Sequence, residues 1–208
     1  MVARISARQF HAADGVDDWR VLYHVVAAYF RTGSLAEGVA FVEEIGRVAG
    51  ADEQHLKVDL RHTGVTVSLL NRDVALARRI SAAAAGLGLP ADPSGVQLIN
   101  VTIDALVVAD VLPFWQALLG YLPIGDDYLA DPVRRGPGFE FQRMDAPRLQ
   151  RNRIHLDVAV PHDQAEARIA AALAAGGRLV TDAYAPRWWV LADPEGNEAC
   201  VATWMGRE

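Results

Sequence analysis

The sequence predicts an α+β protein of two units, the second of which uses one strand–helix–strand module twice. Three observations carry that prediction. Apolar residues make up 51% of the 208-residue chain against 22% charged, the balance of a folded rather than a disordered chain. Between Gly86 and Gly95 glycines, prolines and a serine gather where one apolar stretch ends and another begins, which marks a boundary. Beyond it, two alternating segments, Asn100–Asp104 and His155–Ala159, each precede an amphipathic helix and a closing strand. The units are read as residues 1–88 and 96–208, joined by a linker at 89–95.

In the first unit, Trp19–Arg31 is strongly apolar and fits a strand or a buried helix, between which periodicity does not decide. Ser34 and Glu37 form a capping-box pattern ahead of a helix whose apolar face carries Leu35, Val39, Phe41, Val42, Ile45 and Val48. Val65, Val67 and Leu69 alternate with Thr66 and Ser68 and predict a half-buried strand. Asn71 is the expected cap of a second helix through Val74, Ala77 and Ile80. The unit is therefore expected to place two main helices on a short antiparallel sheet.

In the second unit the repeat organises everything. The first helix is expected near Asp110, with Pro113 in its first turn and Val111, Trp115 and Leu118 buried. The second follows a capping-box pattern at Asp163 and Glu166 and carries Ile169 and Leu173. Gly120 ends the first helix, and Gly176 with Gly177 the second. The closing strands are Phe139–Arg143 and Asn197–Val201, the latter introduced by a turn sequence from Asp193 to Asn197.

Because every second side chain of a strand shares a face, the register selects candidate site residues. Ile99, Val101 and Ile103 are assigned to the helix side, leaving Asn100, Thr102 and Asp104 opposite. Leu156 and Val158 likewise leave His155 and Asp157 opposite, and the closing strands add Glu140, Gln142, Glu198 and Cys200. These polar faces are expected to converge on one concavity able to hold a small molecule. His155 beside a carboxylate such as Asp157 is a candidate general base. Of the adjacent pair Trp188 and Trp189, one faces the core and one the concavity, and Trp189 is taken as the ligand-side wall. Arg151, Arg153 and Arg187 are candidates to neutralise an acid at the rim.

Composition bounds the function classes. A net charge of −6 without a basic block gives no footprint for nucleic acid. No apolar stretch is long enough for a membrane span or a signal peptide, and the single Cys200 fits a reducing compartment, so the expectation is cytoplasmic. The partners expected are a small-molecule ligand and a second copy of the chain, with neither nucleic acid nor membrane.

From about Gln97 to Trp204 the chain resembles the glyoxalase-like branch of the vicinal oxygen chelate superfamily (glyoxalase/bleomycin resistance/dioxygenase). The resemblance rests on Asp110 with Phe114, Trp115 and Leu119–Tyr121, on Asn152–Asp157, and on Ala192–Asn197. It implies paired βαβββ modules around a divalent metal held by one first-strand and one last-strand ligand per module. Carried over, those positions are Asn100, Gln142, His155 and Cys200. Only His155 is a usual ligand, so no metal and no other cofactor is expected. The implied activities are small-molecule binding or metal-independent lyase-type catalysis.

From about Ile5 to Leu87 the chain resembles pterin-4a-carbinolamine dehydratases, through Asp17–Trp19, Phe30, Ala40–Val42, Gln54–Leu56, Asp59–Arg61, Val65–Leu69, and Arg72 with Asp73. That family is a two-layer α/β sandwich and carries a His-His-Pro run where this chain has Gln54, His55 and Leu56. A further family histidine after the Val65–Leu69 strand has no counterpart. His55 is thus the one catalytic candidate of this half. 4a-hydroxytetrahydrobiopterin dehydratase activity and a non-catalytic self-association or regulatory role are the alternative expectations.

Overall fold

A computed structural model describes residues 5–147 and 154–206, and the chain divides into two compact units, Met1–Leu98 and Ile99–Glu208. In the first, the apolar run after Trp19 is a hairpin, β1 (Arg20–Leu22) and β2 (Val25–Arg31). Valines and aromatics suit a pleated surface better than a helix, and Tyr23 (φ +52°) turns the chain back. After a short helix, α1 (Ala7–His11), the other elements are α2 (Leu35–Ala49), β3 (Leu56–Arg61), β4 (Gly64–Leu69) and α3 (Val74–Gly86). The sheet runs β1-β2-β4-β3 with every pairing antiparallel. Phe30, Phe41, Ile45, Val65, Val67, Leu76 and Ile80 fill one core between helices and sheet. Trp19 joins them, its indole N–H donating to the Ser81 hydroxyl at 3.0 Å.

Two helix starts differ from expectation. Ser34 does cap α2, but Glu37 reaches one residue further back and accepts from the Gly33 amide at 2.8 Å. Asp73, not Asn71, caps α3 by accepting from the Leu76 amide at 2.9 Å. A carboxylate there also faces the positive end of the helix dipole. The segment read as a linker belongs to this unit instead. Leu89 enters its core, Ala91 bridges to Phe30, and Asp92 pairs with Arg31. Its apolar residues have a strand edge to cover, so it packs.

The second unit contains the repeat. The first module is β5 (Asn100–Ala105), α4 (Val108–Leu119), β6 (Leu122–Pro123), β7 (Tyr128–Ala130) and β8 (Gly138–Arg143). The second is β9 (Leu156–Ala159), α5 (Ala165–Ala174), β10 (Arg178–Thr181), β11 (Trp188–Ala192) and β12 (Glu198–Ala202). Their sheets are ordered β5-β8-β7-β6 and β9-β12-β11-β10. In each, the first strand pairs parallel with the last and the others are antiparallel, so both modules are βαβββ. One core serves both: Val111, Phe114, Trp115 and Leu118 of α4 pack with Phe139, Phe141, Leu191, Ala199 and Val201.

Neither helix of this unit begins as its sequence suggests. α4 starts at Val108 with no side-chain cap of its own, which places Pro113 beyond the first turn. The cap arrives from the other module: the Glu195 carboxylate accepts from the Leu106 and Val107 amides at 2.7 and 2.8 Å. α5 has no side-chain cap either, because a 3₁₀ turn at His162–Gln164 replaces the expected capping box.

Candidate functional site

The pleat sorts the strand residues as their alternation requires. In β5 and β8, Ile103, Ala105, Phe139 and Phe141 enter the core. Thr102 then stands across from Glu140 and Asp104 across from Gln142 on the opposite face. Asn100 completes that face, and so does Tyr128, which pairs with Glu140 and brings its hydroxyl 3.4 Å from the Asn100 side-chain oxygen. Burial, with Glu140 nearby, raises the Tyr128 pKa against the opposing charge of Arg134, so the phenol remains a donor at neutral pH. Tyr128 was not among the sequence candidates. The register of the β7–β8 hairpin is the signal that finds it.

In the second module Leu156, Val158, Ala199 and Val201 face the core. Cys200 lies across from Asp157 on the other face of the β9–β12 pair. His155 immediately precedes β9 and comes to the same side. Its Nε2 is 3.5 Å from an Asp157 oxygen, and ligand atoms of His155, Asp157 and Cys200 all lie within 4.8 Å of one another. Cys200 is buried while the histidine and aspartate are exposed, so the group is floored by sulfur and open to solvent above.

The register corrects the aromatic wall. Trp189 pairs with Val201 and packs against the core, whereas Trp188 pairs with Ala202 on the polar side. Trp188 stacks on Tyr184 at 4.6 Å between centroids, and the Arg187 guanidinium stands 5.6 Å from its ring centre. Arg187 is also tied down by donating to the Gly206 carbonyl at 2.7 Å. Next to Trp188 the floor is Ala202 and Ala159, small residues that leave room beside the indole. Glu198 is half-buried at the far end of β12. Arg151 and Arg153, with Asn152, lie outside the described residues.

The ligand-capable atoms that come together belong entirely to the second module, and among the described residues neither Asp104 nor Glu140 joins such a group. The four positions Asn100, Gln142, His155 and Cys200 were the expected remnant of an inter-module metal. Two of them offer only neutral amides, and the Asn100 oxygen lies toward the Tyr128 hydroxyl. These residues do not fit the chelate spanning both modules.

The turn sequence from Asp193 to Asn197 is a fastening rather than a reactive element. The Asp193 carboxylate is fully buried and accepts from the Trp115 indole at 2.9 Å. It also accepts from the Asn197 side chain and from the Glu195 and Asn197 amides. Together with Glu195 on α4, it clamps the β11–β12 hairpin that carries Trp188 and Cys200 to the first module. In the first unit His55 is exposed at the end of the turn after α2, and its carbonyl accepts from the Leu70 amide at 2.8 Å.

Residues 100–202 match the glyoxalase-like domain family. Solved structures similar to the chain include a glyoxalase/bleomycin resistance protein/dioxygenase family enzyme from Burkholderia phytofirmans. It is 18% identical, covering 52% of this chain and 98% of that one with a TM-score of 0.39. A glyoxalase/bleomycin resistance protein from Albidiferax ferrireducens is 22% identical over 50% and 95%, TM-score 0.39. The fosfomycin resistance protein FosX from Listeria monocytogenes, complexed with Mn(II) and sulfate, is 9% identical over 51% and 89%, TM-score 0.42. No curated protein matches the chain. No helix among the described residues is long and apolar enough to cross a membrane.

Proposed function

Taking residues 100–202 as a glyoxalase-like domain, we propose that the second unit binds a small molecule on the open face of β9, β12 and β11. The observation that carries this reading is the meeting of His155, Asp157 and Cys200 on a face that also presents Trp188. A pocket that mixes an aromatic surface with a few convergent polar groups is the usual form of a small-molecule site. The indole edge and the alanine floor suit the apolar part of a ligand, and the imidazole, carboxylate and thiol suit its polar end. If the bound molecule reacts, His155 takes up a proton from it and Asp157 orients and balances the imidazolium. The reaction class is then proton abstraction from a carbon or hydroxyl beside a carbonyl, the proton resting on the His155 imidazole, a step that needs no inter-module metal.

The test is a thermal-shift screen of carbonyl acids and aromatic acids against the full chain. A hit should raise the melting temperature of the wild type and of Tyr23→Ala, an exposed residue of the first unit. It should raise neither His155→Ala nor Trp188→Ala. Hits that shift all four proteins alike sink the proposal. For the first unit we read His55 as too isolated to run the dehydratase reaction, and a carbinolamine dehydration assay should give the buffer rate.

A further inference from the structure

The same open face supports a second, more specific reading. We propose that His155, Asp157 and Cys200 form a three-ligand site for a borderline-soft divalent cation such as Zn²⁺, built wholly from the second module. The inference rests on the ligand-binding face described above and names what organises it; with the cation bound, His155 and Asp157 are its ligands in place of the proton-transfer pair. It also departs from the chelate implied by the resemblance, which draws ligands from both modules.

The geometry argues for a cation rather than a simple ion pair. At 3.5 Å the Nε2-to-carboxylate separation is too long for a good hydrogen bond. It is close to the separation of about 3.4 Å that two N and O ligands keep on the edges of a tetrahedral zinc site. The sulfur lies within 4.8 Å of both partners, so a modest inward rotation of exposed side chains closes the set. His155 and Asp157 are the exposed members and can move, whereas Cys200 is fixed by its strand. Thiolate, imidazole and carboxylate together favour Zn²⁺ and disfavour Mg²⁺ or Ca²⁺, which seek oxygen ligands only. Two anionic ligands and one neutral one balance the charge of the dication and leave the complex neutral. Three protein ligands with the fourth side open to solvent leave a position for water or for an anionic group of the ligand.

The experiment uses the full chain, purified without a tag, stripped with chelator and titrated with Zn²⁺ and with Co²⁺. One equivalent of Zn²⁺ should bind, resist excess Mg²⁺, and bind more weakly as the pH falls, because thiol and imidazole must lose protons. The cobalt form should show a thiolate-to-metal charge-transfer band. Cys200→Ser should abolish that band, and Asp157→Asn should weaken zinc binding by at least the roughly 10–100-fold that losing even an outer-sphere partner costs. The double variant Asn100→Ala with Gln142→Ala should bind zinc as the wild type does. The inference falls if no stoichiometric cation binds, if the band survives Cys200→Ser, or if the double variant loses the metal. A ligand-induced thermal shift that persists in a chain unable to bind metal leaves the binding function standing and overturns only the metal. Stoichiometric zinc with no ligand shift does the reverse.

Discussion

The two modules of the second unit share one topology and differ in how each fastens its last hairpin. Both place an Asp-Pro pair at the turn before the closing strand, Asp131 with Pro132 and Asp193 with Pro194. Asp131 is partly exposed and accepts from the amides of Val133, Arg135 and Gly136, so it stabilises only its own loop. Asp193 is fully buried and binds Trp115 of the other module besides its own turn. The asymmetry continues on the polar faces. The first module presents amides, carboxylates and Tyr128, and the second gathers His155, Asp157 and Cys200 next to Trp188. The hairpin that is locked to its neighbour carries the convergent site, which fits the need of such a site for rigid support.

The contrast is broken most directly at the two aspartates. Asp193→Ala strands buried donors on Trp115, Asn197 and the turn amides and should cost about 3–5 kcal/mol in denaturant unfolding. Asp131→Ala, whose donors can turn to water, should cost about 1 kcal/mol or less. Equal losses would mean that the inter-module bond contributes nothing beyond its turn.

A smaller contrast lies at the helix ends. A Cβ on Gly177 runs into the Phe114 ring and comes within 2.8 Å of the Ala172 carbonyl oxygen. Gly177→Ala should therefore cost about 1–3 kcal/mol through overpacking. Gly120 ends α4 at φ +69° with only the tip of Arg168 nearby. Gly120→Ala should cost about 1 kcal/mol, from backbone conformation alone. Relief of the Gly177→Ala defect by Phe114→Leu, with none for Gly120→Ala, would sharpen the distinction.

The smallest effect is in acid. Burial, the largest single influence on Asp131, pushes its pKa up, but the amide donors and the charge of Arg135 together outweigh it and the net shift is down. A carboxyl whose pKa is depressed on folding contributes stability above its unfolded value and loses it as the pH falls through the folded one. The stability gap between the wild type and Asp131→Asn should thus be complete at neutral pH and shrink below the ordinary carboxylate range. A gap that is constant through acid would show that the charge on Asp131 is immaterial.

Much of this was legible in the sequence. Alternation in Asn100–Asp104 and His155–Ala159 fixes which side chains share a face, because the pleat has a period of two whatever the strand packs against. The duplicated order of strand, helix, glycine and closing strand specifies the module. Other features depend on partners distant in the chain. Trp188 and Trp189 are locally indistinguishable, and only pairing with β12 decides which meets the core. α4 takes its cap from Glu195, 88 positions from Val107, so no local signal marks its start. Leu89 and Ala91 look like linker until a strand edge is there to cover. The sequence by itself determined the duplicated order of strand, helix and closing strand and the polar face of each of those strands, because both follow from local periodicity. Only the tertiary structure decided that His155, Asp157 and Cys200 gather in the second module, because register across strands and fastening between modules are set by contacts far apart along the chain.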